Sequence, residues 1–179
     1  MTYQNIEELA SENAKEILSL KEVKSYLKID LDDSDEFLSD LIITVRQYAE
    51  KFLNFHFTRK SFRQLNLGNN IQNINIIHTP VISIKSLSVI NNDQKNVQVS
   101  SDEYYFDHFN QISITKLAFL YNKVILLYEV GYKNSNFIPL PLKTGMLMHI
   151  ASIYDSGNLS DPIPMPVLNL YQQYRRRNL

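Results

Sequence analysis

With 179 residues the chain is long enough for one domain, or one domain with an insertion, to bury most of the surface its unfolded form exposes. It has no cysteine, which removes disulfides, thiolate metal sites and cysteine nucleophiles, and its four glycines stand too far apart for a phosphate-cradling loop. A net charge of -1 lacks the positive excess of a dedicated nucleic-acid binder, and the early residues are acidic without the basic-then-apolar layout of a leader, so a soluble intracellular protein is expected.

Residues 1–18 read as an N-terminal segment, either a loose helix or mobile. Two start signals follow. Ser19 precedes Glu22 by three residues and Asp33 precedes Glu36 likewise, so each pair predicts a capping box at the head of a helix. Leu20, Val23, Tyr26 and Leu27 recur at helical spacing in the first. Phe37, Leu41, Val45, Tyr48, Ala49 and Phe52 form the stripe of the second, widened by Leu38, Ile42 and Leu53. The short link between them predicts a helical hairpin over 19–60.

The period then changes to that of strands. Ile74 and Ile76, Val81 to Val89, Val97 and Val99, Tyr104 to Phe106, Ile112 and Ile114, and Val124 to Val130 are apolar runs separated by Asn and Asp, with a turn at Asn91-Asn92-Asp93. Pro80 suits the start of a strand or an edge. A small antiparallel β-subdomain inserted over 61–132 is predicted. Helical spacing returns over 138–157, where Pro141 fits a first turn, Leu142, Met146, His149, Ile150, Ile153 and Tyr154 share a face, and Asp155-Ser156-Gly157 stops the helix. Pro162, Pro164 and Pro166 then punctuate the approach to a last helix and tail over 163–179. The fold class expected is α+β, a helical bundle made of the hairpin and the C-terminal helices with an inserted β-subdomain, one structural domain overall.

The chemistry-bearing residues point away from catalysis. The acidic run from Asp30 to Glu36 begins like a calcium loop, but the turn position that needs glycine is Asp35 and the closing acid position is Leu41, so helix capping is the better reading. His56, His78, His108 and His149 are scattered without metal-binding spacing, and no nucleophile elbow is present. No catalytic, cofactor-binding or metal residue is assigned. The many tyrosines lack interleaved basic residues, which favours core and interface packing over base stacking. Acids crowd the first third while Arg175, Arg176 and Arg177 close the chain, a split of sign that suits head-to-tail contact between copies, although charge alone favours the plainer reading of a solvated loop and a basic tail.

Several fragments, taken in order, carry a resemblance. Leu18-Ser19-Leu20-Lys21-Glu22-Val23-Lys24-Ser25-Tyr26-Leu27 precedes an acidic link and a helix with Val45-Arg46-Gln47-Tyr48-Ala49-Glu50. There follow His78-Thr79-Pro80-Val81-Ile82-Ser83-Ile84, Tyr104-Tyr105-Phe106-Asp107, Tyr128-Glu129-Val130-Gly131-Tyr132, Ile138-Pro139, Ile153-Tyr154-Asp155, Ile163-Pro164 and Tyr174-Arg175. Over most of its length the chain resembles the head-to-tail connector, or adaptor, proteins of tailed bacteriophages and of gene transfer agents derived from them. The chain departs from that pattern after Tyr154, where members often carry a basic residue, and in strands rich in Asn and Ile.

The resemblance implies a structural, non-enzymatic protein of the virion, assembled in the host cytoplasm without a membrane. It would form a ring, commonly of twelve copies, between the portal protein and a tail-completion or stopper protein, with DNA passing through the lumen unbound. In such adaptors the C-terminal helix inserts against the portal, which maps onto 163–179. Val167, Leu170, Tyr171, Tyr174, Arg175, Arg176 and Arg177 are therefore the expected docking residues, although arginines in a last turn also serve the helix dipole. Asp32, Asp35 and Asp40 are expected to line the lumen and repel phosphate. The competing readings are a non-viral interaction adaptor, and an enzyme or nucleic-acid-modifying protein of a mobile element.

Overall fold

A computed structural model describes residues 3–11, 16–108, 110–115, 117–159 and 162–175. The fold is mixed α+β, with antiparallel sheets and, among the described residues, four α-helices. It divides into two compact units, Met1–Ala14 with Arg59–Gly131, and Lys15–Thr58 with Tyr132–Leu179.

The first unit is built on strand alternation. In β8 (Tyr121–Val130) Val124, Leu126, Tyr128 and Val130 are buried at every second position, as a strand between two neighbours with one face inward requires. β8 lies at the centre of a five-stranded antiparallel sheet ordered β1 (Tyr3–Ser11), β2 (Lys60–Leu67), β8, β4 (Val81–Asn91) and β5 (Asn96–Gln98). Pro80 sits directly before β4, and the Asn91-Asn92-Asp93 turn joins β4 to β5. A second sheet of β3 (Asn73–Asn75), β7 (Gln111–Ile114) and β6 (Tyr104–Phe106) adds Ile74, Ile112 and Ile114 to the same apolar core. One buried polar side chain joins the sheets. Gln64 donates from Nε2 to the Asn75 carbonyl at 2.8 Å and accepts at Oε1 from the Tyr128 hydroxyl at 3.3 Å, so a buried amide in β2 meets its partners rather than stranding them.

Part of the segment 1–18, expected as a loose helix or mobile, lies outside the described residues, and Tyr3–Ser11 depart from that expectation. They form β1, the edge strand, held on β2 by ladder bonds and by ion pairs from Lys60 to Glu8 (3.3 Å) and Arg63 to Glu7 (3.9 Å). The reason is its position. An edge strand needs little burial, and Ile6 is the residue that packs on this core among the strand's described side chains, so alternation is not written in the sequence. Ile17 and Leu18 belong instead to the core of the helical unit.

In the second unit, α1 (Leu20–Leu27) starts at the predicted capping box, with Glu22 N–H donating to Ser19 Oγ and Ser19 N–H to the Glu22 carboxylate at 2.7 Å. The second box is not formed. α2 (Asp35–Leu53) begins after Ser34, because Lys24 Nζ draws the carboxylates of Asp32 (2.6 Å) and Asp35 (2.7 Å) to itself and a turn bond runs from Asp35 N–H to the Asp32 carbonyl. α3 (Leu140–Ser156) has its proline in the first turn and ends at Gly157, whose φ of 67° is the left-handed conformation glycine adopts without strain. A short 3-10 turn at Ser135–Phe137 leads into it, and α4 (Met165–Gln172) follows the proline-punctuated stretch.

These helices enclose one core. Val23 of α1, six residues of α2 from Leu38 to Leu53, Leu142, Met146, Ile150 and Ile153 of α3, and Val167 and Tyr171 of α4 contribute to it. At roughly 1.5–3 kcal/mol for each large side chain removed from water, this burial dominates the unit's stability. The stripe of α2 is narrower than its sequence: Phe37 and Tyr48 at its margins remain exposed.

Two packing details carry measurable consequences. A Cβ added at Gly145 in α3 would lie 2.6 Å from Cε1 of the buried Tyr171 ring. Gly145→Ala is therefore expected to lose about 1–2 kcal/mol by urea unfolding despite its better helix propensity, because overpacking outweighs that gain; a stabilised variant would show that α4 yields freely. His149, buried beside Tyr48, has an Nδ1 without a hydrogen-bond partner among the described residues, and burial pushes its imidazole below its ordinary range. The unfolded chain then takes up the proton first as pH falls below about 6.5, so this contribution to stability is present above that pH and lost below it. The urea midpoint of His149→Leu should accordingly fall less between pH 7.5 and pH 5 than that of the native chain; an equal fall would assign the dependence to other groups.

Candidate partner-docking site

The C-terminal helix shows two faces. Inward, Val167 and Tyr171 are fully buried, the Tyr171 ring lies 6.1 Å from that of Phe52, and burial pushes its phenol well above the ordinary range. Both residues, expected on a partner surface, are thus committed to the chain's own core. Leu170 and Tyr174 are half-buried, and Tyr174 packs against the same core. The exposed Arg175 holds its guanidinium carbon 5.0 Å above the centre of the Phe52 ring, a cation–π arrangement that keeps it close to α2. Arg176 and Arg177 lie outside the described residues.

Outward, α4 presents Met165, which is 66% exposed, with Asn169 and Gln172. Met165 falls outside the stripe of 167, 171 and 174, and that is the signal that could have found it: the residues out of phase with a core stripe are the ones left for a partner. Leu170 adjoins this face. The site is therefore a weakly polar helix surface with a large apolar side chain at its start.

The expected lumen residues separate. Asp32 and Asp35 share the ammonium of Lys24, and the hydrogen bond from Lys24 holds the Asp32 carboxyl below its ordinary range. They close the α1–α2 link. Asp40 is exposed one turn further along α2, without an ion pair among the described residues. Deeper in the same unit Arg46 donates from Nε to Glu16 at 2.8 Å and from a terminal nitrogen to Glu50 at 3.0 Å. No three metal-ligating side chains converge among the described residues, and no helix there is long and apolar enough to cross a membrane.

Comparison with known proteins gives these surfaces a context. The model of the phage gp6-like head-tail connector protein family matches residues 17–125. The fold is similar to that of a chain in the neck of an empty GTA particle computed with C6 symmetry, at 16% identity and a TM-score of 0.73, covering 98% of this chain and 97% of that one. It is also similar to a chain of the virion of a native gene transfer agent (GTA) particle, at 13% identity and a TM-score of 0.71, covering 97% and 96%. A chain in the neck of a native GTA particle computed with C12 symmetry aligns at 13% identity and a TM-score of 0.58, covering 93% and 96%. No curated protein matches the sequence. Since the family match spans more than half of the chain, the protein belongs to the phage gp6-like head-tail connector protein family.

Proposed function

We propose that this connector works without catalysis as a ring of twelve copies in the neck of its particle, with the portal protein on one side and a tail-completion or stopper protein on the other. It is assembled in the host cytoplasm and carried in the virion. The single observation that supports this reading best is the similarity, along nearly the whole chain, to neck chains whose particles were computed with sixfold and twelvefold symmetry. A closed ring around a channel is what such symmetry requires of repeated heterologous contacts.

Within that ring the helical unit acts as a bundle, and the outward face of α4 meets the portal. Met165 and Leu170 supply apolar contact, while Arg175, Arg176 and Arg177 supply charge that pairs with portal carboxylates. Val167, Tyr171 and Tyr174 act indirectly, by seating α4. Asp40, with the net negative charge left by two carboxylates on one lysine at Asp32 and Asp35, lines the channel and keeps phosphate from sticking.

The test is co-purification with the portal protein encoded beside this chain, followed by mass determination and negative-stain imaging. A ring of this chain on the portal is the expected outcome; a folded chain that fails to associate would overturn the reading. Met165→Asp should weaken portal binding tenfold or more while leaving the melting temperature unchanged, and unaltered affinity would remove α4 from the contact.

A further inference from the structure

The helical unit carries a second unused surface, away from α4. A groove of about 680 Å³ opens between α1 and the first turns of α3, its apolar lining supplied by Leu18, Tyr26, Leu140 and Leu147. Leu140 is 73% exposed, so water meets a large part of this lining. Lys21 and Lys143 stand at its sides, and neither forms an ion pair among the described residues. Glu22 is there too, but its carboxylate accepts from the Ser19 N–H and hydroxyl, both at 2.7 Å, and is occupied in capping α1. The lining thus joins these apolar side chains to two lysines and one capping carboxylate, with Ser19, Ser25 and Thr144 among them.

The complementary shape and charge are found on the same chain. In the link between α1 and α2, Leu31 is 72% exposed and flanked by Asp30, Asp32 and Asp33. Asp32 is taken by Lys24, whereas Asp30 and Asp33 form no ion pair among the described residues. An exposed leucine ringed by acids is costly to leave in water and suited to a groove that offers apolar side chains and lysines. Leu31 does not line the groove of its own chain.

We propose that the α1–α2 link of one copy seats Leu31 in the α1/α3 groove of the next copy, with Asp30 and Asp33 meeting Lys21 and Lys143. The inference rests on the ring reading above and names the contact that builds the ring. Repeated around a ring the contact is heterologous, running from copy to copy until the rotation closes. Lys21 also borders a pocket with Asp30 of its own chain, so the same contacts made reciprocally would give a two-fold pair that stops at dimers, and the length of the cross-linked ladder separates the two arrangements. Lys24 has a part in the contact as well: by holding Asp32 and Asp35 it fixes the link with Leu31 outward before the next copy arrives.

The absence of cysteine makes the test direct. Leu31→Cys and Leu140→Cys, both at exposed positions, introduce a lone thiol pair whose members meet only between copies. Rings of the double variant, assembled on the portal and oxidised, should run on a non-reducing gel as a ladder of covalent multimers, while either single variant stays monomeric and an equal mixture of the two stops at dimers. Lys21→Glu with Lys143→Glu should raise the concentration needed for ring assembly at least tenfold without shifting the monomer's melting temperature, and Asp30→Lys with Asp33→Lys should restore it. Rings visible by imaging that give no ladder would overturn the groove contact while leaving the ring intact, and would assign the groove to a portal segment. An absence of rings for the native chain would overturn the ring reading and this contact with it.

Discussion

The helical unit is organised around one largely enclosed carboxylate. Glu50, near the end of α2, accepts from Arg46 on its own helix and, through its other oxygen, from the backbone N–H groups of Phe57 (2.7 Å) and Thr58 (3.3 Å), where the chain leaves the helix. Arg46 reaches on to Glu16, ahead of α1. Burial acts to lower the affinity of Arg46 for its proton, and the bonds and charges of Glu16 and Glu50 more than reverse this. Arg46 is the buried charge of the three, and Glu16 and Glu50 both pair with it, so losing Arg46 would leave the largely enclosed Glu50 carboxylate without its cation. Through these three residues the entry to α1, the body of α2 and the exit at Phe57 are held to one another. The returning chain joins at the same place, where the Tyr132 N–H donates to the Phe57 carbonyl and the rings of Phe55, Phe57 and Tyr132 pack together.

What could be read from the sequence follows the range of the forces involved. The capping box at Ser19 and Glu22, the first-turn proline and Gly157 of α3, and the alternation in β8 are local devices, complete within a few residues, and each lies where the sequence places it. The start of α2 is not written locally, because the deciding partner, Lys24, lies eight and eleven residues from the carboxylates it holds. Nor is β1, since a polar edge strand is specified by β2, far along the chain, and not by its own pattern. The mixed α+β class is therefore legible in the sequence, whereas the division of the β-strands into two sheets is not.

The docking residues show a different limit. Val167, Tyr171 and Tyr174 do form a stripe, as their spacing says, but spacing cannot tell a stripe that meets a partner from one that meets the chain's own core. Resemblance supplied the role, and geometry redistributed the residues. Leu31, Phe37, Phe137, Leu140 and Met165 remain exposed around the helical unit, outside the stripes that fill its core.

The brevity of α4 has a further meaning. A helix of eight residues is too short to hold its own hydrogen bonds in water, where isolated helices below about a dozen residues are marginal. Its helicity is borrowed from the seat that Gly145 leaves for the Tyr171 ring and from the pocket around Val167. The helix therefore depends on its seat: separated from it, the segment would unwind and would not persist as a rigid arm. Whatever lifts it must offer substitute burial for one tyrosine and one valine, and the prolines on its approach limit how much disorder the detached strand regains.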